Sequence, residues 1–95
     1  MRKARADSNQ KEIVTALRAC GAVVKHVHTL KNLFDIIVYF GGRTYSVEIK
    51  ADNKQKLTKG ELECKADLES VNVNYWVIHS IDEAIQMIQS EEKND

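Results

Sequence analysis

The chain has 95 residues, of which 43% are hydrophobic and 29% are charged. This composition is typical of one small soluble domain, residues 1–95, and excludes a disordered chain. No apolar run is long enough to cross a membrane and no signal peptide is recognisable, which predicts a cytoplasmic protein. The formal charge is zero, but residues 1–60 carry twelve Lys and Arg against five Asp and Glu, and residues 61–95 carry two against nine. The first part is suited to phosphate contacts, although such a charge run is often only a solvated surface.

A first helix is predicted to begin near Asn9, whose side chain can cap it while Glu12 completes a capping box. Its apolar stripe runs to Cys20 and Gly21 ends it, and a strand follows over residues 22–27. Cys20 lies in the apolar stripe of this helix and Cys64 in that of a later one. Because the two lack C-x-x-C spacing, both are expected to be buried free thiols.

A β-hairpin is predicted over residues 34–50. Two runs rich in β-branched and aromatic residues, 34–40 and 43–50, are separated only by Gly41-Gly42, which suits a type I′ or II′ turn. That turn pairs Phe40 with Arg43 and fixes the register of the whole hairpin. One face is then expected to be apolar core, made of the pairs Phe34/Ile49, Ile36/Val47 and Val38/Tyr45.

The same register places Asp35 directly opposite Glu48. Opposed residues have Cβ atoms about 5 Å apart, so two like charges there should destabilise the sheet. Lys50 projects from the same face as Glu48 because side chains alternate along a strand. Two carboxylates with a lysine beside them indicate a site for a divalent cation. The alternative is that the acids are simply solvated and that Lys50 is the ion-pair partner of Glu48.

The remaining pattern predicts two helices and one strand. A helix begins near Gly60, a short apolar strand covers residues 75–78, and Ser80 caps a last helix. The order is αβββαβα. Spacing alone gives an α/β fold with a mixed sheet and flanking helices.

Asp35, then twelve residues, then Glu48-Ile49-Lys50 resembles the signature of the PD-(D/E)XK nuclease superfamily. From about Arg5 to Ile88 the chain resembles the virus-type replication-repair nucleases (VRR-Nuc), a family with a restriction-endonuclease-like core. The similar segments are residues 5–14, 47–50, 57–61 and 77–84. Two departures are Phe34, where the superfamily usually has Pro, and Glu61, where many relatives carry Gln.

The resemblance implies a Mg²⁺- or Mn²⁺-dependent DNA endonuclease that leaves 5′-phosphate and 3′-hydroxyl ends. Asp35, Glu48 and the backbone carbonyl of Ile49 offer hard oxygen ligands to the cation. Lys50 would orient or help to deprotonate the attacking water and would stabilise charge on the phosphate. Glu12 is either only a capping residue or, as the resemblance implies, a catalytic residue that binds or orients the hydrated cation.

Contacts to DNA are expected from a set of polar and basic residues on either side of this site: Gln10, Lys11, Asn53, Lys54, Lys56 and Lys59. Stand-alone members of the family resemble Holliday-junction resolvases, which implies a homodimer acting on four-way junctions in a bacterial cell or a phage-infected host. One alternative is another metal-dependent nuclease for flaps, nicks or duplex DNA. A second is a non-catalytic DNA-binding module, which the intact Asp35, Glu48 and Lys50 disfavour.

Overall fold

The structure is a computed structural model that describes residues 2–90, with side chains from residue 9 onward. The side chains of residues 5–8, where the family resemblance begins, lie outside the described residues. Residue 1 and residues 91–95, at the ends of the predicted 1–95 domain, also lie outside them. The elements are α1 (Arg2–Ala19), β1 (Val23–His26), β2 (Ile36–Phe40), β3 (Arg43–Ile49), α2 (Lys59–Glu69), β4 (Tyr75–Ile78) and α3 (Ile81–Gln89). The predicted order αβββαβα is confirmed. Within residues 2–90 no helix is long and apolar enough to span a membrane.

The four strands form one mixed sheet in the order β1-β2-β3-β4. The first three strands are antiparallel neighbours, and β4 runs parallel to β3. A parallel pair needs a long crossover, which α2 provides here. Gly41 and Gly42 have φ values of 59° and 79°, as a type I′ turn requires, and Phe40 pairs with Arg43 as predicted.

Both faces of the sheet are covered, each by a separate apolar cluster. The larger cluster lies under α1 and α3 and includes Ile13, Leu17, Ile36, Val47, Ile49 and Met87. The smaller cluster joins Phe34, Cys64 of α2 and Tyr75. The predicted Phe34/Ile49 pair is therefore wrong, because Phe34 belongs to the other cluster. The β2–β3 ladder begins at Ile36, so strand alternation does not extend back to Phe34.

The predicted start of α1 is also wrong. The helix begins at Arg2, so Asn9 and Glu12 lie in its interior and form no capping box. Arg, Lys and Ala, which dominate residues 2–6, are strong helix formers, and they continue the helix before its apolar stripe starts. Gly21 ends the helix with a φ of 99°, as expected.

The two cysteines differ in their surroundings. Both are free thiols, and Cys64 is buried as predicted, but Cys20 is exposed. The reason is that α1 ends at Ala19, so Cys20 lies in the following turn rather than on the buried stripe. The last helix is capped by Ser80, whose hydroxyl accepts the Glu83 N–H, as predicted.

Candidate active site

The hairpin and the chain that enters it bring Asp35 and Glu48 to one end of the sheet. Asp35 directly precedes β2, and its N–H donates to the carbonyl of Val47 at 2.9 Å. Its Oδ2 accepts the Ile49 N–H at 2.8 Å, which holds the carboxylate against β3. Glu48 is only 5% exposed and is the one buried charged residue in the described part of the chain.

Burial and nearby negative charge disfavour the charged forms of these carboxyl groups. Burial, with the nearby charges of Asp35 and Glu61, raises the pKa of Glu48 to about 8. Burial likewise raises the pKa of Asp35, although the hydrogen bond from Ile49 opposes the shift. It is therefore unfavourable for both carboxyl groups to be charged unless further positive charge lies nearby.

Lys50 supplies positive charge to this cluster. Its Nζ lies 3.4 Å from Glu48 Oε2 and 2.9 Å from Glu61 Oε1. Burial alone lowers the pKa of Lys50, but the hydrogen bond to Glu61 and the charge of Glu48 outweigh it, so the pKa is raised. Lys50 is accordingly an ammonium ion and a hydrogen-bond donor in this arrangement, rather than a base.

Glu61 connects the site to α2. Its Oε1 accepts the Thr58 N–H at 2.9 Å, and the Thr58 hydroxyl accepts the Glu61 N–H, which completes a capping box. The sequence pattern Thr58-x-x-Glu61 could have indicated this cap. The additional contact between Glu61 and Lys50 was not predicted, because this contact joins two separate elements.

A cleft of about 250 Å³ opens beside the carboxylates. Its lining includes Asn9, Gln10, His28, Asp35, Glu48 and Lys50. Asn9 reaches the site from α1, where its Nδ2 donates to the carbonyl of Lys50 at 3.1 Å. Asn9 and His28 were not predicted as site residues. The available signal for Asn9 is that it lies one helical turn before Ile13, at the head of the buried stripe.

The structure does not bring Glu12 into this cleft. Glu12 is exposed and lines a separate depression with Lys11, Thr15 and Ile81. Successive helix residues are rotated by about 100°, so Glu12 turns away from the face that Asn9 and the buried Ile13 share. Among the side chains of α1 that the structure describes, from residue 9 onward, the amide of Asn9 therefore reaches the site and the carboxylate of Glu12 does not.

The residues expected to contact DNA flank the cleft on two sides. Gln10 lines the cleft itself, and Lys11 is exposed on the next position of α1. The other expected residues are all exposed: Asn53, Lys54 and Lys56 lie between β3 and α2, and Lys59 is the first residue of α2. Gln55, between Lys54 and Lys56, lines the cleft, so these two cations lie close to its rim.

The donor set fits a small divalent cation. Mg²⁺ is commonly held by one or two carboxylates together with water, and two adjoining carboxylates with raised pKa values gain from a bound cation. Among the described residues, no group of three His, Cys, Asp or Glu side chains could hold a metal ion. A cation here would therefore have Asp35, Glu48 and a backbone carbonyl such as that of Ile49, with water as the remaining ligands.

No family model matches the sequence, and no curated protein matches it. Among solved structures, the chain is similar to a VRR_NUC domain, with a TM-score of 0.75 and 20% sequence identity. The similarity covers 93% of this chain and 98% of that domain. The resemblance drawn from the motifs is thus confirmed at the level of the fold. This chain folds as a VRR_NUC domain does.

Proposed function

We propose that this protein is a metal-dependent DNA endonuclease that hydrolyses phosphodiester bonds. The observation that carries the proposal is the meeting of Asp35, Glu48 and Lys50 beside one cleft. Asp35 directly precedes β2, Glu48 lies on β3, and Lys50 follows the end of β3. The fold shared with a VRR_NUC domain supports the same reaction class.

The residues of the chain have distinct roles in this proposal. Asp35, Glu48 and the Ile49 carbonyl would hold Mg²⁺ or Mn²⁺, which supplies Lewis-acid polarisation of the phosphate and a more acidic bound water. Lys50 donates hydrogen bonds to the oxygen atoms on which negative charge develops. Glu61 holds Lys50 in position from the N-terminus of α2. Asn9 anchors the chain at Lys50 to α1.

The test is cleavage of supercoiled plasmid and of a synthetic four-way junction by purified protein, with Mg²⁺, Mn²⁺ or EDTA. Cleavage that needs the cation and leaves 5′-phosphate ends is the expected result. Binding to DNA without cleavage under every condition would instead indicate a non-catalytic DNA-binding module. Cleavage of equal rate in EDTA would remove the metal from the proposal.

The preferred substrate in our proposal is a four-way junction, cut by a homodimer in the cytoplasm of a bacterial cell or a phage-infected host. A junction requires two paired incisions, and each chain has one cleft with the three residues. Two basic surfaces related by a two-fold axis can contact two duplex arms together, so the second contact is effectively intramolecular and adds affinity without new chemistry. Light scattering and a competition assay between junction and linear duplex test this substrate choice. A monomer with equal affinity for both would favour a flap- or nick-directed nuclease instead.

A further inference from the structure

A second cleft lies next to the candidate active site, between α1 and the end of β1 with the residues that follow it. Its volume is about 410 Å³. Its polar lining comprises Gln10, Lys11, Thr15, Arg18, His26 and His28. Gln10 and His28 also line the cleft of Asp35 and Glu48, so the two clefts share a border.

The two clefts have opposite chemistry. The second cleft has two cations, Lys11 and Arg18, and no Asp or Glu among the described residues that line it. Lysine, arginine, threonine, glutamine and histidine side chains can all donate hydrogen bonds. Such a lining favours an anionic ligand with several acceptor oxygens, and phosphate groups have this character.

Arg18 and His26 are held in place by contacts within the protein. Arg18 Nη2 donates to the carbonyl of Val24 at 2.8 Å, which ties the guanidinium to β1. Gln10 Nε2 lies 3.4 Å from His26 Nδ1. This contact places the Gln10 amide and the His26 imidazole side by side in the lining of the cleft. Side chains held in this way lose less freedom on binding a ligand.

The cations follow one face of α1. Lys11, Thr15 and Arg18 are spaced by four and three residues, so they form a row along the helix. At a rise of about 1.5 Å per residue, Lys11 and Arg18 are separated by about 10 Å along the axis. That length corresponds to roughly three phosphates of one duplex strand at about 3.4 Å of axis each. A polyanion that enters the active-site cleft can therefore continue along this row.

We infer that the cleft lined by Lys11, Arg18, His26 and His28 binds the DNA backbone of the cleaved strand on one side of the scissile phosphate. This inference rests on the proposed nuclease function and adds a phosphate-binding site to it. The shared border at Gln10 and His28 makes the path continuous, and the cationic lining compensates for the repulsion between phosphate and the neighbouring carboxylates. The contacts are to phosphate and carry no sequence preference.

The experiment measures binding of a fluorescent 30-base-pair duplex over a salt series in EDTA, where metal-dependent cleavage cannot occur. The variants are Arg18→Gln and Lys11→Gln, and the matched control is Lys65→Gln on α2, which removes one positive charge outside both clefts. Each cleft variant is expected to weaken binding about tenfold at low salt and to reduce the slope of log K against log salt by about 0.9, the value for one lost phosphate contact. The control is expected to keep the wild-type slope.

Arg18→Gln also removes the bond to Val24, so its melting temperature must be measured alongside. Lys11→Gln leaves that bond intact and keeps the test decisive if the Arg18 variant is unstable. Wild-type affinity and slope in Lys11→Gln would overturn the inference. A loss of affinity in Lys65→Gln equal to that in the cleft variants would also overturn it, because it would indicate only diffuse electrostatic attraction. In either case, metal-dependent cleavage by the wild-type protein would leave the nuclease proposal standing. Failure of the wild-type protein to bind DNA at all would remove both proposals.

Discussion

Lys50 Nζ lies closer to Glu61 Oε1, at 2.9 Å, than to Glu48 Oε2, at 3.4 Å. The same Glu61 oxygen accepts the Thr58 N–H at the start of α2. One carboxylate therefore caps a helix and positions the lysine of the candidate active site. The stability of α2 and the geometry of the site are coupled through this single side chain.

Replacement of Lys50 by Ala, or of Glu48 by Gln, is expected to abolish cleavage while DNA binding survives. Preorganised charge at a reacting centre commonly contributes about 10²–10³ in rate, whereas affinity depends mainly on the other basic residues. Cleavage and gel-shift assays on the same preparations measure the two effects. Lys65→Ala serves as the control, since its ion pair with Glu69 lies on the exposed surface of α2. Undiminished Mg²⁺-dependent cleavage by Lys50→Ala would contradict the assignment.

Mg²⁺ or Mn²⁺ is expected to raise the melting temperature, and Asp35→Asn is expected to raise it in the absence of metal. Above about pH 8, where Glu48 is ionised, both changes relieve repulsion between Asp35 and the buried Glu48, and a ligand that binds only the folded state stabilises it. A gain of about 1 kcal/mol corresponds to about 4–8 °C for a domain of this size. The variant should also respond less to the cation. A melting series in which neither effect occurs would indicate that the two carboxylates do not form a cation site.

Stability in EDTA is expected to fall between pH 5 and pH 8 because of Glu48. In the folded protein its pKa is raised from 4.5 to about 8, mainly by burial. Between these values the folded state binds more protons than the unfolded state, so the free energy of unfolding decreases as the pH rises. The expected loss is on the order of a few kcal/mol, since one pKa unit corresponds to about 1.4 kcal/mol.

Glu48→Gln provides the control for this pH dependence. The neutral amide removes the titration, so the variant should be more stable than the wild type at pH 8 and nearly equal to it at pH 5. Urea unfolding at a series of pH values measures both proteins. Parallel pH profiles for the two would contradict the raised pKa of Glu48.

Glu61→Ala is expected to lose both stability and activity, whereas Glu61→Gln retains most of the stability. Gln can still accept the Thr58 N–H, but Ala cannot, and loss of a cap typically costs about 1 kcal/mol. Thr58→Ala should cost a similar amount, because it removes the acceptor for the Glu61 N–H. Cleavage should fall more in Glu61→Ala than in Thr58→Ala, since only the former removes the partner of Lys50. Equal activities in the two variants would show that Glu61 does not position Lys50.

Local patterns in the sequence were sufficient for the order of elements and for the hairpin. Gly41-Gly42 leaves few turn types available, and the turn then fixes the pairs from Phe40/Arg43 to Ile36/Val47. The Ser80 cap and the end of α1 at Gly21 depend on contacts within a few residues. These features follow from the sequence because each is determined by the backbone geometry of its immediate neighbours.

The residues that complete the site were decided by the packing of separate elements. Asn9 reaches the carbonyl of Lys50 across 41 positions of the chain, and Lys50 reaches Glu61 across 11. Local spacing gave Asn9 and Glu12 only a capping box, the family resemblance suggested Glu12 for the site, and strand alternation assigned Phe34 to the wrong face. The packing of the apolar stripe around Ile13 in the core decides which side of α1 faces the sheet. The rotation of α1 about its axis in turn decides which polar side chains enter the cleft. The sequence by itself therefore determined the hairpin that holds Asp35, Glu48 and Lys50, while the tertiary structure decided their partners, because those contacts exist only once the helices are packed against the sheet.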